Sequence, residues 1–545
     1  MSLGKHRSKF NLGVVVLATA LVIAALQIFY QPPEPNIGLE ELRVKYAKEH
    51  IPSADHSKMP ELQKEFDNPG EVTETCITCH TERHEEVMAS SHFNWERISY
   101  VEGRGIHALG KRNVLNNFCI GAQGNELACA KCHTGYGMED IENFDFAEPK
   151  NVDCLSCHDN SDQYQKGNAM AGYPAETVDL ALAAQSVSKP TMENCGSCHF
   201  YSGGGNNVKH GDLEQALFST TRDVDVHMAA NGIDMTCVDC HTAENHQMKG
   251  KLYSVSSDNV NRQKCEDCHT NTPHLSEMLN THTAKVACQT CHIPTYAKEN
   301  PTKMEWKWSA AGKLKDGKPY SLDNEHGEHT YLSKKGEFKW AKDVIPDYVW
   351  FNGNAQHYFI GDKIDTTGGP VQINKLLGYH DDPKSKIVPV KIHKGDQIYD
   401  KENLMLIQPK LFAANKSDSA FWKSFNWDKA AAAGMKRVGL PYSGEYDFIE
   451  TEMYWPVNHM VAPADQALAC ADCHTSDGGR LAELTGFYLP GRDRNVWLDW
   501  IGNWLILGAV IGIIIHGSVR IFSYFRSEED LEMEKYEEFG DDETS

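Results

Sequence analysis

Two long apolar runs bracket a polar middle. They are Asn11 to Tyr30, "NLGVVVLATALVIAALQIFY", and Val496 to Tyr524, "VWLDWIGNWLILGAVIGIIIHGSVRIFSY". Each supplies the roughly 20 residues that a helix needs to cross a bilayer. Lys5, Arg7 and Lys9 precede the first run, and Arg520 and Arg526 close the second. Cationic flanks stay cytoplasmic, so the pattern predicts both termini inside and the chain between them outside. The first run ends "AALQIFYQPP" and lacks a small-x-small cleavage site, which favours an uncleaved anchor over a signal peptide. On either reading the middle is exported.

The middle is ordered by cysteines. Sixteen of the 17 fall in C-x-x-C-H motifs: Cys76–Cys79–His80, Cys129–Cys132–His133, Cys154–Cys157–His158 and Cys195–Cys198–His199 come first. Cys237–Cys240–His241, Cys265–Cys268–His269, Cys288–Cys291–His292 and Cys470–Cys473–His474 follow, and Cys119 is left over. Zinc ribbons, redox pairs and disulfides share the C-x-x-C half of this pattern. None of them calls for a histidine after every pair. Covalent c-type haem does: two thiols take the two porphyrin vinyl groups, and the turn delivers the next imidazole to the iron. The expected cofactor is eight haem c groups, attached outside the bacterial cytoplasmic membrane.

Seven motifs lie between Cys76 and His292, so porphyrins must supply much of the apolar interior. The fold class expected is mainly α with much irregular structure, a multihaem cytochrome c fold organised around eight covalent haems, plus two terminal transmembrane helices. The segments are 1–35, cytoplasmic tip and anchor; 36–292, seven-haem region; and 293–469, a haem-poor lobe covering the active site. They continue with 470–495, eighth motif and linker; 496–525, transmembrane helix; and 526–545, acidic tail. Aromatics, glycines and some strand-like alternation mark the lobe. The formal charge of −23 argues against nucleic acid as a partner. The tail from Ser527 contributes much of it and reads as solvated and partly disordered.

Low-spin haems need a second axial ligand, usually His or Met. Of the histidines outside the motifs, His92, His210, His227, His246, His274, His282 and His459 are the candidates. His84, His107 and His380 stand in reserve, and His393 is ambiguous. Seven distal histidines for eight haems leave one haem open to chemistry. Lys209, in "GGGNNVKHGD", is a candidate for that position. An amine binds iron only when deprotonated, so such a site must lower its pKa from about 10.4. Chain proximity ties Lys209 to the fourth motif, whose His199 is ten residues away. Lys150 is the runner-up.

The phrases "NNFCIG", "GGGNNVKHGDLE", "PTYAKENPTKMEWKWS" and "DDPKSKIVPVK", set among the eight motifs, resemble the octahaem tetrathionate reductase family. The similarity spans roughly Cys76 to His474. It implies that Lys209 crosses to the haem of the second motif, on His133, and that the other haems are bis-His. It also implies a pocket holding Cys119, Asn116, Asp381 and Lys386. Cys119 would attack an S–S bond as thiolate, Lys386 would balance substrate charge and Asp381 would manage protons. The implied reactions are two-electron cleavage of tetrathionate, six-electron reduction of nitrite and two-electron reduction of hydroxylamine.

The two spans depart from the soluble pattern of that family. They raise a b-type cytochrome or quinol-oxidising membrane subunit as partner, with His516 either ligating a shared haem b or pairing a polar group. Two rivals stay open: a non-catalytic electron conduit from quinol to another redox protein, and a hydroxylamine oxidoreductase. The second calls for a tyrosine cross-link, and none of the 21 tyrosines stands out. An anion entering so negative a protein requires a local basic funnel.

Overall fold

The computed structural model describes residues 54–118, 121–413 and 419–540, the last twelve by backbone only. The first apolar run and Cys119 lie outside the described residues. The chain divides into two compact units, one ending at Ala467 and the other running from Leu468.

In the first unit, helices are short and serve the motifs. Helix α1 (Pro69–Cys79) starts where Asn68 Oδ1 accepts from Glu71 N at 3.1 Å and Pro69 presets the first turn. It ends by presenting His80. Helix α2 (Met192–His199) opens on a Thr191–Asn194 capping box and carries the fourth motif. Elsewhere the motif is barely one turn, as in Cys237–Cys240 and Cys288–His292. Packing here is sparse: one small core joins Leu62, Val72, Leu155, Ala183 and Ala184, another Met192, Phe200, Leu217 and Val224.

The lobe after His292 is different. Its strands are β3 (Thr302–Lys307), β4 (Ser321–Asp323), β5 (His329–Leu332), β6 (Gly336–Ala341) and β7 (Asp347–Phe351), after a hairpin of β1 (Glu96–Val101) and β2 (Gly105–Gly110). They continue with β8 (Val371–Gln372), β9 (Lys386–Asp400), β10 (Met405–Leu406) and β11 (Tyr446–Pro456). Strands β3 to β11 make one nine-stranded sheet in the order β8-β11-β9-β3-β6-β5-β4, with β7 and β10 also on β9. Strand β9 is the spine, antiparallel to β11 and parallel to β3. Ile387, Val388, Val390 and Ile398 favour extended backbone and are buried. Helix α3 (Trp427–Arg437) lays Trp427, Ala430, Ala431 and Met435 into a core with Trp306, Trp308, Phe338, Phe421 and Trp455.

This corrects the expected fold class. The chain is 29% helical and 19% strand, so it is not mainly α. Motif density describes residues 54–292, but the haem-poor stretch must build its own core. Its β-branched and aromatic residues do so as a sheet.

In the second unit, the eighth motif forms a single turn, Cys470–Cys473. Helix α4 (Val496–Gly540) follows, and its Val496–Glu528 portion is the one helix long and apolar enough to cross a membrane among the described residues. The helix continues to Gly540, so the acidic segment after Ser527, expected to be partly disordered, is helical over much of its length.

Candidate functional site

The motif histidines share a local device. Nδ1 of His158 donates to Ser188 O at 2.8 Å, that of His241 to Lys249 O at 2.7 Å and that of His474 to Pro490 O at 2.9 Å. Nδ1 of His133 donates to His92 O at 3.2 Å. Committing Nδ1 as donor leaves Nε2 with its lone pair, the tautomer a metal requires.

Six motif histidines then face a second histidine across a constant gap. Ring centroids are 6.3 Å apart for His80 with His56, 6.4 Å for His158 with His246, and 6.3 Å for His199 with His92. They are 6.2 Å apart for His241 with His459, and 6.1 Å both for His269 with His227 and for His292 with His274. Two metal–nitrogen bonds of about 2.0–2.1 Å, plus about 1.1 Å from each nitrogen to its ring centre, give roughly 6.3 Å. The histidines therefore fit an iron between each pair. His56 was absent from the sequence-derived candidates; it stands 20 residues before Cys76 with no local cue. Short-range pairing is not used: His246 and His274 each follow a motif by five residues, yet each faces the histidine of another motif. His459, just before the eighth motif, faces the fifth. Carboxylates orient two of these rings, Glu86 on His246 at 2.7 Å and Asp212 on His459 at 3.1 Å.

The motifs are also close to one another. Cys76 lies beside Cys154, Cys132 beside Cys198, Cys195 beside Cys237, and Cys265 beside Cys288. Cys157 lies near Cys195, and Cys268 near Cys240. The first seven motifs thus form a continuous cluster, with the second branching from the fourth.

His133 stands apart. Its ring stacks on Trp95 at 3.8 Å and faces no histidine among the described residues. Its Nε2 is buried without a partner, as a ligand awaiting iron would be. Burial, helped by the Lys111 charge, holds its pKa well below the usual imidazole range, so the ring stays neutral. The chain leaving it is pinned by buried Lys166, which donates to His133 O, donates to Gly135 O at 3.2 Å, and pairs with Asp153 at 2.9 Å. Lys166 and Asp153 gave no signal in the sequence.

Lys209 is within electrostatic range of the second motif although it is nearer the fourth along the chain. Its ammonium lies 6.0 Å from the Phe118 ring centre, and its charge helps lower the Cys132 pKa to about 6, after the larger effect of the Cys198 hydrogen bond. Buried Lys391 fixes the Lys209 backbone: its Nζ donates to Val208 O at 3.0 Å, Lys209 O at 2.9 Å and Thr302 Oγ1 at 2.6 Å. Thr302 Oγ1 itself donates to Asn207 O at 2.6 Å, so all three Lys391 bonds need N–H donors. Burial pulls the Lys391 pKa down, but three acceptors ask for the full ammonium, and we take it as charged. Asn116 belongs to the same region; its carbonyl accepts from Gln397 Nε2 at 3.2 Å.

Of the other candidates, His210 stays in this region and the rest lie elsewhere. His210 packs on Trp455 at 5.0 Å, and burial drives its pKa down to about 3. His282 donates to Met278 O at 2.7 Å. Asp381 is exposed and bonds His380 at 2.9 Å, while Lys386 bonds Glu266 at 3.4 Å beside the sixth motif. Lys386 is five residues from Lys391 along one strand, or about 16 Å. Asp381 and Lys386 thus make their contacts with His380 and Glu266. Lys150 pairs with Glu74 at 2.5 Å on the surface. His516 lies in α4, exposed.

Comparison with known proteins places these features in context. The family model for "Cytochrome c bacterial" matches residues 303–477, and that for "Outer membrane cytochrome MtrC/MtrF-like, domains II/IV" matches residues 53–252. An uncharacterised protein of Archaeoglobus fulgidus is 25% identical over 245 residues, covering 35% of this chain and 80% of that one. The crystal structure of octahaem cytochrome c from Shewanella oneidensis superposes with a TM-score of 0.72 at 44% identity, covering 78% of this chain and 95% of that chain.

Proposed function

Because this chain belongs to the octahaem c-type cytochromes, we propose that it is a membrane-anchored reductase of small oxyanions or nitrogen oxides, with tetrathionate, nitrite and hydroxylamine as the substrate class. Its cofactor is covalent haem c, and the eight motifs call for eight copies. When bound, haem supplies one-electron relay where two imidazoles hold the iron, and an exchangeable position where a weaker ligand holds it.

One observation carries this reading. Six motif histidines face another histidine, whereas His133 faces none among the described residues and the Lys209 charge acts on the same motif. His133 and Lys209 would hold the group of the second motif. Lys391 holds the Lys209 backbone still, and Trp95 fixes the His133 ring plane. Lys209 would hold the group weakly, and as an ammonium it would offer charge to an arriving anion. Asn116 and Cys119 adjoin this pocket in sequence; a Cys119 thiolate would attack an S–S bond. Asp381 and Lys386 take no part. The cations Lys111, Lys166 and Lys209 around the second motif would answer the need for a basic funnel in an acidic protein.

The bulk of the chain works in the periplasm with both termini cytoplasmic, and electrons arrive from a quinol-oxidising membrane partner. His516 would ligate a haem b shared with that partner. The deciding measurement is electron paramagnetic resonance of the purified holoprotein, with nitrite and tetrathionate turnover driven by a reduced viologen. One signal that is not bis-His, altered in Lys209→Met together with turnover, supports the reading. Only bis-His signals and no turnover leave a wire in place of an enzyme.

A further inference from the structure

The strand face that carries Lys391 holds more polar chemistry than the pocket described so far uses. Alternation puts Lys391, His393 and Gln397 on one face of β9. Pairing with β11 sets Lys391 opposite Trp455 and His393 opposite Met453. The segment before Cys119 lies across this face. Asn117 Nδ2 donates to His393 O at 3.2 Å, and Asn117 Oδ1 accepts from Thr451 Oγ1 at 2.8 Å and Gln397 Nε2 at 3.2 Å. The Phe118 ring rests 4.1 Å from His393 and 5.7 Å from Trp455.

His393 is fully buried, and neither ring nitrogen has a hydrogen-bond partner. Trp455 is 2% exposed, and its Nε1 is equally unpartnered. Burying one unmatched donor costs about 1–3 kcal/mol, so two on one wall are not idle packing. Burial first, then the Lys391 and Lys303 charges, keep His393 neutral, and a neutral imidazole has one N–H to give. The indole can only donate. The acceptor they lack is not among the described residues, and it must fit beside Phe118, whose ring also lies 6.0 Å from Lys209 Nζ and 5.9 Å from Lys391 Nζ. Two donors flanked by two cations select an anionic oxygen.

We propose that His393 and Trp455 form an oxyanion subsite of the Lys209 centre, each donating a ring N–H to an oxygen of the bound substrate. The subsite rests on the reading of Lys209 given above. A porphyrin carboxylate has the same acceptor chemistry, and the test separates the two sources.

Nitrite is titrated into the holoprotein and its binding followed by optical and paramagnetic resonance spectra. Variants are Trp455→Phe, which keeps the aromatic packing, His393→Phe, and His393→Gln, which keeps a donor. Trp455→Phe and His393→Phe each weaken nitrite binding about 5- to 10-fold, the worth of one hydrogen bond. His393→Gln recovers most of the loss, and all three keep the native resting spectrum. Unchanged affinity in Trp455→Phe and His393→Phe overturns the subsite while Lys209 keeps its role. Unchanged affinity with shifted resting spectra or potentials assigns the donors to a porphyrin carboxylate and also overturns it. A native protein blind to nitrite, with Lys209→Met spectrally identical, removes the Lys209 reading and the subsite together.

Discussion

The His92 carbonyl accepts from His133 Nδ1 at 3.2 Å while the His92 ring faces His199 at 6.3 Å. One residue therefore serves two motifs, orienting the second through its backbone and partnering the fourth through its side chain. His92→Ala keeps the carbonyl and removes the ring. It should abolish one bis-His signal, that of the fourth motif, and leave the His133 signal in place. Resonance spectra that lose the His133 signal instead would show the two motifs to be wired otherwise.

His56 makes a sharper test, because nothing in its local sequence marks it. His56→Ala should convert one bis-His signal to a high-spin one and leave the other bis-His signals and nitrite turnover within about twofold of native. An unchanged spectrum would mean that the first motif draws its second ligand from elsewhere.

Lys391 is fully buried and meets three acceptors. Lys391→Met strands two carbonyls and a hydroxyl, at a cost of about 2–4 kcal/mol. The melting temperature should fall, and the non-bis-His signal should broaden as Lys209 loses its fixed backbone. A stable variant with a native spectrum would leave Lys391 without a positioning role.

Asp400 gives a pH signature far from any haem. Burial opposes its charge, but bonds from Asn403 N at 2.7 Å, Ser443 N at 2.7 Å, Asn403 Nδ2 at 3.0 Å and Ser443 Oγ at 2.9 Å outweigh burial and lower its pKa. A depressed carboxyl stabilises the fold above its unfolded value of about 3.9, and that stability is lost as pH falls through the folded value. Asp400→Asn should therefore lower the melting temperature at pH 7, with the gap to native closing below about pH 4. A gap that stays constant down to pH 3 would refute this.

Topology is testable in whole cells. Protease added outside intact spheroplasts should remove the haem-stainable region and spare an epitope placed after Ser545. Digestion of that epitope would reverse the orientation inferred from Arg520 and Arg526.

What could be read from the residues divides along physical lines. The C-x-x-C-H turns are local, and eight repetitions made their chemistry legible. The second ligands are not local: His459 reaches the fifth motif across more than two hundred residues, and His56 carries no motif of its own. Lys391 gave no signal and His393 only an ambiguous one, because only β11 and the segment before Cys119 give them their surroundings. The match of Asp381 and Lys386 rested on a five-residue spacing alone, and the two side chains meet different partners, His380 and Glu266. The sheet was under-read because haem density was extended past His292, where the chain must fill its own interior.

Strand β9 bears on how this protein can vary. Near one end, the Ile387 carbonyl accepts from Ala287 N at 3.0 Å and Thr290 Oγ1 at 2.7 Å, docking the seventh motif; four residues on, Lys391 grips the Lys209 loop. That interval of about 13 Å is a gauge set by continuous extended backbone. Inserting a single residue there would turn Lys391 to the opposite face and misplace the seventh motif relative to Lys209. Relatives should accordingly differ freely in length through the turns at 312–328, yet hold the count between 387 and 391 invariant.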